Sequence, residues 1–430
     1  MEWSKYNYLY YSKVAKSYLL YSSLSNAFLQ LTDKGLEFVN NIMIDNNVDY
    51  IDNDFFKILV DRRFLVPSNR TEVNKLILQA FLNRYNKKTL TLTIAPTQKC
   101  NFSCPYCYEH YRNSEIMSEF VQNKIIEFVQ KNNELKSLNV IWYGGEPTLA
   151  TSVIKRLSKS FINSVNNYSA YIITNGFKLD RLANKLEDLK IRGIQITLDG
   201  TAKTHNTTRC LRNGAPTFEH ILENIDLILN KKYNIDISIR MNISKENALE
   251  YIKLHKLLYE RYRGKRIHLY PAFVVDYGNC NSICCIEGKE QGYFLKDLFH
   301  KHGIVTSPLY PYRTNKGCMA QSINAFVVGP DGELYKCWHH LGEKNKSVGN
   351  ITNQEIFSNF ELLADSMIEG DVLFDKKCID CILFPSCYGG CKEHRVSNKE
   401  YCIPAKYVLP DYLDIKYIQW KNIKASITSI

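Results

Sequence analysis

The strongest constraint on this chain is the placement of its 14 cysteines, which are gathered rather than scattered. Three fall between Cys100 and Cys107, and seven between Cys318 and Cys402. Nothing at Met1-Glu2-Trp3-Ser4-Lys5 resembles a secretory signal, and no apolar run is long enough to span a bilayer. A cytoplasmic chain is therefore expected, and there tight cysteine groups read as metal ligands before disulfides. Cys210 reads best as a small buried hydrophobe. Cys280, Cys284 and Cys285 read either as further ligands or as a partly buried apolar group.

The length of 430 residues exceeds one typical core and implies two or three domains. The net charge of +11 raises the question of nucleic acid. The lysines are interspersed with acids, however, and the longest basic stretches, Lys231-Lys232 and Arg261 to Arg266, are short. A solvated surface is the expectation, with neither a nucleic acid nor a membrane as partner.

Three patterns divide the chain. Residues 1–86 hold short aromatic segments (Tyr6 to Tyr11, Tyr18 to Tyr21, Ala27 to Leu31), then helical spacing at Leu36, Val39, Ile42 and Met43. Asn53 or Asp54 caps a second helix, and Phe64-Leu65-Val66 returns to strand, giving a unit of winged-helix size. Residues 88–276 alternate strand and helix. The strands are Leu90 to Ile94, Val140 to Tyr143, Tyr171 to Thr174, Ile194 to Leu198, Asp236 to Met241 and Ile267 to Phe273. Helices are predicted over Ser118 to Gln130, Leu179 to Leu189 and Phe218 to Leu229. Such βα units in series predict an α/β fold, a parallel sheet closed or partly closed as a barrel. Its chemistry is expected beyond the C-terminal strand ends. Residues 277–315 form a bridging region, and residues 316–430, dense in Cys and Gly, suit a domain folded around metal.

The first strand runs into Cys100-Asn101-Phe102-Ser103-Cys104-Pro105-Tyr106-Cys107. Thiolates are soft ligands suited to iron–sulfur clusters and to zinc. Three of them occupy three corners of a cubane and leave one iron open, whereas catalytic zinc with three ligands and a water is the rival. The second strand ends at Gly144-Gly145-Glu146-Pro147, the third at Thr174-Asn175-Gly176 and the fourth at Gln195-Ile196-Thr197-Leu198-Asp199-Gly200, with His205 and Arg209 just downstream. Taken singly, each is compatible with a turn.

Together these motifs resemble the radical S-adenosylmethionine superfamily, which implies a partial (β/α)6 TIM-like barrel. The match is to the subgroup of anaerobic sulfatase-maturing enzymes and peptide maturases. The resemblance implies Cys100, Cys104 and Cys107 as ligands of a [4Fe–4S] cluster. It implies Tyr106, Gly144, Gly145, Glu146, Asn175, Thr197, Arg209 and Arg240 as S-adenosylmethionine contacts, with Asn242 a weaker candidate. The group would supply a 5′-deoxyadenosyl radical that abstracts hydrogen from an unactivated carbon. An electron donor such as flavodoxin or ferredoxin is implied.

The array Cys318, Cys337, Cys378-x2-Cys381-x5-Cys387-x3-Cys391 and Cys402 resembles the SPASM domain. That resemblance implies one cluster on Cys378, Cys381, Cys387 and Cys402, and another on Cys318, Cys337 and Cys391, making three [4Fe–4S] clusters in all. The fourth ligand of the last is open, with Cys280, Cys284 or Cys285 as sources. The N-terminal unit resembles the PqqD-like leader-recognition domain, which implies capture of a precursor peptide by strand addition. The expected activity is that of an oxidoreductase, a peptide maturase (RiPP-modifying enzyme) forming thioether, carbon–carbon or ether cross-links. Sulfatase-maturing enzymes carry an aspartate directly after the cysteine matching Cys337. This chain has Trp338, whose neutral indole takes no proton. Formylglycine formation is the rival activity, and a zinc-dependent nucleic-acid module the rival class.

Overall fold

The computed structural model describes residues 1–45, 53–107, 109, 115–274, 285–306, 317–397 and 402–428. Two compact units result. One gathers residues 1–84, 287–318 and 370–430, and the other residues 85–286 and 319–369.

In the first unit, Ser- and Tyr-rich segments turn at Lys16 and Asn26, both with positive φ (52° and 58°). They make an antiparallel sheet in the order β2 (Asn7–Ser12), β3 (Ser17–Ser22), β4 (Ala27–Gln30). The short β1 (Glu2–Trp3) pairs antiparallel with β5 (Leu65–Val66). Asn53 Oδ1 caps the helix Asp54–Asp61 by accepting from the Phe55 amide at 2.8 Å. Leu20 of the sheet packs with Val39, Ile42, Phe56, Leu59 and Phe64 as one core.

The helix Asn69–Arg84 has no legible apolar stripe. Its inward face carries Glu72, Leu76, Ala80 and Arg84 at four-residue spacing, so half of that face is charged. Arg63 pairs with Glu72. Arg84 makes a forked bond to Asp371, at 2.5 Å from Nη1 and 3.1 Å from Nη2. The apolar residues beside them, Tyr6, Val66 and Leu76, share a core with Val372, Leu373, Phe384 and Tyr388. The helix Leu409–Thr428 meets the sheet where Tyr10 Oη donates to Asp414 (2.9 Å) and Tyr417 Oη to Gln30 (3.1 Å).

The second unit is built on nine strands. These are β6 (Thr89–Ile94), β7 (Ser137–Trp142), β8 (Asn167–Thr174), β9 (Ile191–Thr197), β10 (Asp236–Ile243), β11 (Ile267–Phe273), β12 (Ala325–Val328), β13 (Glu333–Tyr335) and β14 (Gly349–Asn350). They lie in the order β11-β10-β9-β8-β7-β6-β12-β13-β14. The strands β6 to β11 pair in parallel, and β12 adds a further parallel strand on β6. Only β13 and β14 run antiparallel to their neighbours. Beta-branched residues fill the sheet interior, and β12 is buried along its length. The helix Glu119–Gln130 follows β6 and is capped by Ser118.

One expected helix is different. Over 179–189 the chain makes a 3-10 turn at Leu179–Leu182 followed by further turns. Its buried Leu179, Leu182, Ala183, Leu186 and Leu189 recur mainly every three residues. That spacing serves 3-10 turns as well as an α-helix.

The shared core of the first unit has a measurable consequence. A chain lacking residues 1–84 is expected to lose amide protection across 370–397, read by hydrogen-exchange mass spectrometry.

Candidate functional site

In the second unit the chemistry-bearing residues gather at the C-terminal ends of β6 to β10. The loop after β6 carries Cys100, Cys104 and Cys107, all half-buried. Its turn closes by Cys107 N–H to Cys104 O at 3.3 Å, and the Phe102 amide points at Cys100 Sγ at 3.5 Å. The turn after β7 is stitched to that loop. Gly145 N–H donates to Thr97 O (3.2 Å) and Glu146 N–H to Lys99 O (2.9 Å). A Cβ on Gly145 would collide with the Gln98 and Lys99 carbonyls, and Gly144 adopts φ +106°. Both positions need glycine. The backbone they admit is the cysteine loop itself, a role that the sequence alone did not separate from ligand approach.

Glu146 is fully buried, and burial pushes its carboxyl above the usual range against the hydrogen bonds it receives. Oε1 accepts from Thr148 N (3.0 Å), Thr148 Oγ1 (2.6 Å) and Thr174 Oγ1 (2.7 Å). Oε2 accepts from Asn175 N at 2.7 Å. The carboxylate thus clamps the ends of β7 and β8 together, and Oε2 keeps acceptor capacity for a further donor. Asn175 extends the clamp to the cysteine loop through Nδ2, 2.8 Å from Asn101 Oδ1 and 3.9 Å from Cys100 Sγ.

Tyr106 and Arg209 meet. Arg209 Nη1 donates to Tyr106 Oη at 2.8 Å, and its guanidinium lies 5.7 Å from the Phe102 ring centre. Tyr106 in turn donates to Asp199 Oδ2. Burial lifts the Tyr106 phenol far above its ordinary range, with Arg209 opposing and Asp199 reinforcing, so it keeps its proton. Burial opposes the charge on Arg209, yet Tyr106, Cys104 and Asp199 together hold it protonated. Asp199 also accepts from the Asn242 amide at 3.3 Å. Sequence reading quoted Asp199 as part of a motif and gave it no role. Its signal is a carboxylate two residues past the end of β9 and directly before Gly200, and the structure buries it to 1% exposure.

Thr197 and Arg240 are cross-strand partners on β9 and β10, and Arg240 Nε donates to Asn242 Oδ1 at 2.9 Å. Tyr143, directly before Gly144, is buried, and burial raises its pKa. Arg240 lowers that pKa, whereas Cys107 and Cys337 add to it. The Trp338 ring lies 5.2 Å from that of Tyr143, with Nε1 directed at Met319 Sδ at 2.6 Å. Neither Tyr143 nor Met319 was singled out in the sequence.

In the first unit, Cys378, Cys381, Cys387 and Cys402 line one cavity of about 210 Å³. Cys391 is not among its lining residues; it precedes the helix Lys392–Ser397. Cys318 precedes the turn Met319–Gln321, and Cys337 caps the turn Trp338–His340 of the second unit. Cys280 and Cys284 lie outside the described residues. The loop between Cys378 and Cys387 is held by the N-terminal strands. Tyr6 Oη donates to Ile379 O (2.9 Å), Lys5 pairs with Asp380 (2.7 Å), and Ser23 Oγ donates to Ile382 O.

These donor sets fit the groups that the sequence implies. Burial, with Asp375 adding for Cys378, pushes the Cys378 and Cys387 thiols up to about 11. Four thiols lining one cavity become thiolates when a cationic metal centre compensates them. In the second unit, three cysteines of one short loop meet a neighbouring cation and a carboxamide, which suits a cluster with one iron left for an exogenous ligand.

Residues 94–258 match the Radical SAM superfamily. The chain is 24% identical over 345 residues to the cysteine-type anaerobic sulfatase-maturating enzyme of Clostridium novyi (strain NT), taking in 72% of this chain and 90% of that one. Over 117 residues it is 28% identical to a probable GTP 3′,8-cyclase of Methanococcus maripaludis (strain C6), spanning 27% of this chain and 39% of the other. Native anSMEcpe, solved with bound AdoMet and Cp18Cys peptide, superposes with a TM-score of 0.58 at 23% identity, covering 80% of this chain and all 100% of that one. Streptococcus suis SuiB bound to precursor peptide SuiA gives 0.52 at 15% identity, covering 94% and 97%. The α/β core is therefore a radical SAM core, with the family match carried by residues 94–258. That core implies a [4Fe–4S] cluster and S-adenosylmethionine. Among the described residues no helix is long and apolar enough to cross a membrane.

His205 supplies a pH test of the Asp199 network. Its Nδ1 accepts from the Asp199 amide at 3.3 Å, so Nε2 carries the proton facing Thr217 Oγ1 at 3.1 Å. Burial, with Arg209 adding, depresses its pKa from 6.5 to about 3. Below pH 6.5 the unfolded chain takes up a proton that the folded chain refuses. The stability contributed here is whole above that pH and falls by about 1.4 kcal/mol per unit as the pH drops toward the folded value. His205→Asn is expected to remove this slope between about pH 6.5 and pH 5, read by urea unfolding against the parent chain.

Proposed function

We propose that this radical SAM enzyme modifies a ribosomally synthesised precursor peptide by hydrogen abstraction, and that the product is an oxidative cross-link of thioether, carbon–carbon or ether type. The observation that carries this reading is the N-terminal sheet. Its outer strands β2 and β4 each pair on one side only among the described residues, leaving edges to which an extended leader peptide can add as a strand. The PqqD-like reading of this unit supports the same role.

Cys100, Cys104 and Cys107 would hold the first [4Fe–4S] cluster. Cys378, Cys381, Cys387 and Cys402 would hold a second, and Cys318, Cys337 and Cys391 a third. When bound, the first cluster and S-adenosylmethionine supply a 5′-deoxyadenosyl radical, on an electron from a donor such as flavodoxin or ferredoxin. The chain's own part is placement and exclusion. Oε2 of Glu146 has capacity for a donor such as the methionine ammonium. Tyr106, held by Asp199 and Arg209, presents a protonated phenol beside the cysteine loop. Tyr143 and Trp338 offer an aromatic surface that keeps water from the reacting carbon.

Formylglycine formation is the second reading, supported by the sulfatase-maturating relative, of which this chain spans 90%. Trp338 weighs against it, because the side chain after Cys337 is engaged with Tyr143 and Met319 and has no basic atom.

Three measurements test the proposal. Anaerobically reconstituted chain is expected to carry three [4Fe–4S] clusters, and a content near one removes the auxiliary assignments. Cys104→Ala is expected to abolish 5′-deoxyadenosine formation, read by chromatography. With its precursor peptide the parent enzyme should deliver a product lighter by two hydrogens per bond. If instead only a sulfatase cysteine peptide is converted, the second reading replaces the first.

A further inference from the structure

The four-thiol cavity has an uneven charge lining. Besides Cys378, Cys381, Cys387 and Cys402 it is faced by three cations, Lys377, Arg395 and Lys406, and by one carboxylate, Asp375. Arg395 is engaged elsewhere, with Nη2 donating to Gly370 O at 2.5 Å. Lys406 is aimed at a ligand sulfur, its Nζ 3.2 Å from Cys402 Sγ.

That aim is built by the backbone. Lys406 closes the turn Pro404–Lys406, with its amide bonded to Ile403 O at 3.0 Å. The turn is seated on the helix Gly288–His302 through two glycines. A Cβ at Gly292 would stand 2.9 Å from Pro404 O, and one at Gly288 would stand 3.3 Å from Cys402 O. Ala405 and Val408 are buried on either side. The lysine therefore leaves a fixed segment one turn past the cysteine it faces.

We propose that Lys406 donates a hydrogen bond to the Cys402 thiolate in the cluster-loaded site and thereby raises the reduction potential of the cluster held there. The inference rests on the reading that these four cysteines bind a [4Fe–4S] cluster. Reduction adds negative charge to the cluster and its sulfurs. A cation donating to one of those sulfurs stabilises the reduced form more than the oxidised form. A cluster so biased is fitted to accept the electron left on a substrate after hydrogen abstraction. Lys406 is a positioning and tuning residue, and the cysteines remain the ligands.

The test uses the full chain with Cys100, Cys104, Cys107 and Cys337 each changed to Ala, so that the four-thiol site alone is loaded. EPR-monitored redox titration then compares Lys406, Lys406→Arg and Lys406→Gln. Lys406→Gln is expected to shift the oxidised-to-reduced ratio at fixed potential about tenfold toward oxidised, about 59 mV for one electron. Lys406→Arg is expected to stay near the parent. An unmoved potential in Lys406→Gln with full iron content overturns the proposal. Loss of iron from Lys406→Gln alone also overturns it, since the lysine would then hold the site together rather than tune it. A parent background that binds no iron refutes the cluster reading itself, and the tuning role falls with it.

Discussion

Two backbone hydrogen bonds, Gly145 N–H to Thr97 O and Glu146 N–H to Lys99 O, set the arrangement on which the radical SAM core depends. They bring the turn after β7 against the cysteine loop after β6, at a distance that only glycine permits. Glu146, inside that contact, then reaches the end of β8 through Thr174 and Asn175. Three strand ends become one rigid rim. A buried carboxylate is costly unless its oxygens are bonded, and four donors satisfy this one. The energy that makes the rim rigid is thus the energy that lets a charge sit inside it.

The opposite side of the rim is organised by Asp199. It gathers Tyr106 from the cysteine loop, the Asn242 amide from β10 and, through its own backbone N–H, His205. Arg209 balances its charge through Tyr106. One cation, Arg209, and one anion, Asp199, are bridged by the neutral Tyr106 phenol, so neither is left as an isolated buried charge. Tyr106 is therefore held from behind, while the loop that bears it carries the cysteines.

The sequence exposed these features unequally, for physical reasons. Strands β6 to β11 were legible because each is a short run with apolar residues at alternate or successive positions. The strand expected over Ile267 to Phe273 matches β11 residue for residue. The cysteine loop and its companion motifs were legible because each follows a strand end. The helix Asn69–Arg84 was not, because its buried face holds Glu72 and Arg84, whose partners Arg63 and Asp371 are 9 and 287 residues away. Periodicity records apolar burial, and it is blind to a face buried through ion pairs. Strand β12 was missed for a related reason. Four buried residues, Ala325 to Val328, carry too short a pattern to declare themselves, and their place is decided by pairing with β6.

The same reasoning bears on how the first unit is read. Residues 1–84 look self-contained by pattern, with turns, caps and a core of their own. Yet Tyr6 packs with Phe384, and Tyr6, Lys5 and Ser23 bond the residues between Cys378 and Cys387. That loop buries Phe384 in the core it shares with Tyr6, and it is pinned at Ile379, Asp380 and Ile382 by these bonds. Contacts from the N-terminal strands supply that fixation. The segment proposed to hold a peptide is therefore also the segment that shapes the four-thiol cavity. A peptide strand added to the sheet and an electron-accepting centre in that cavity would share one mechanical support.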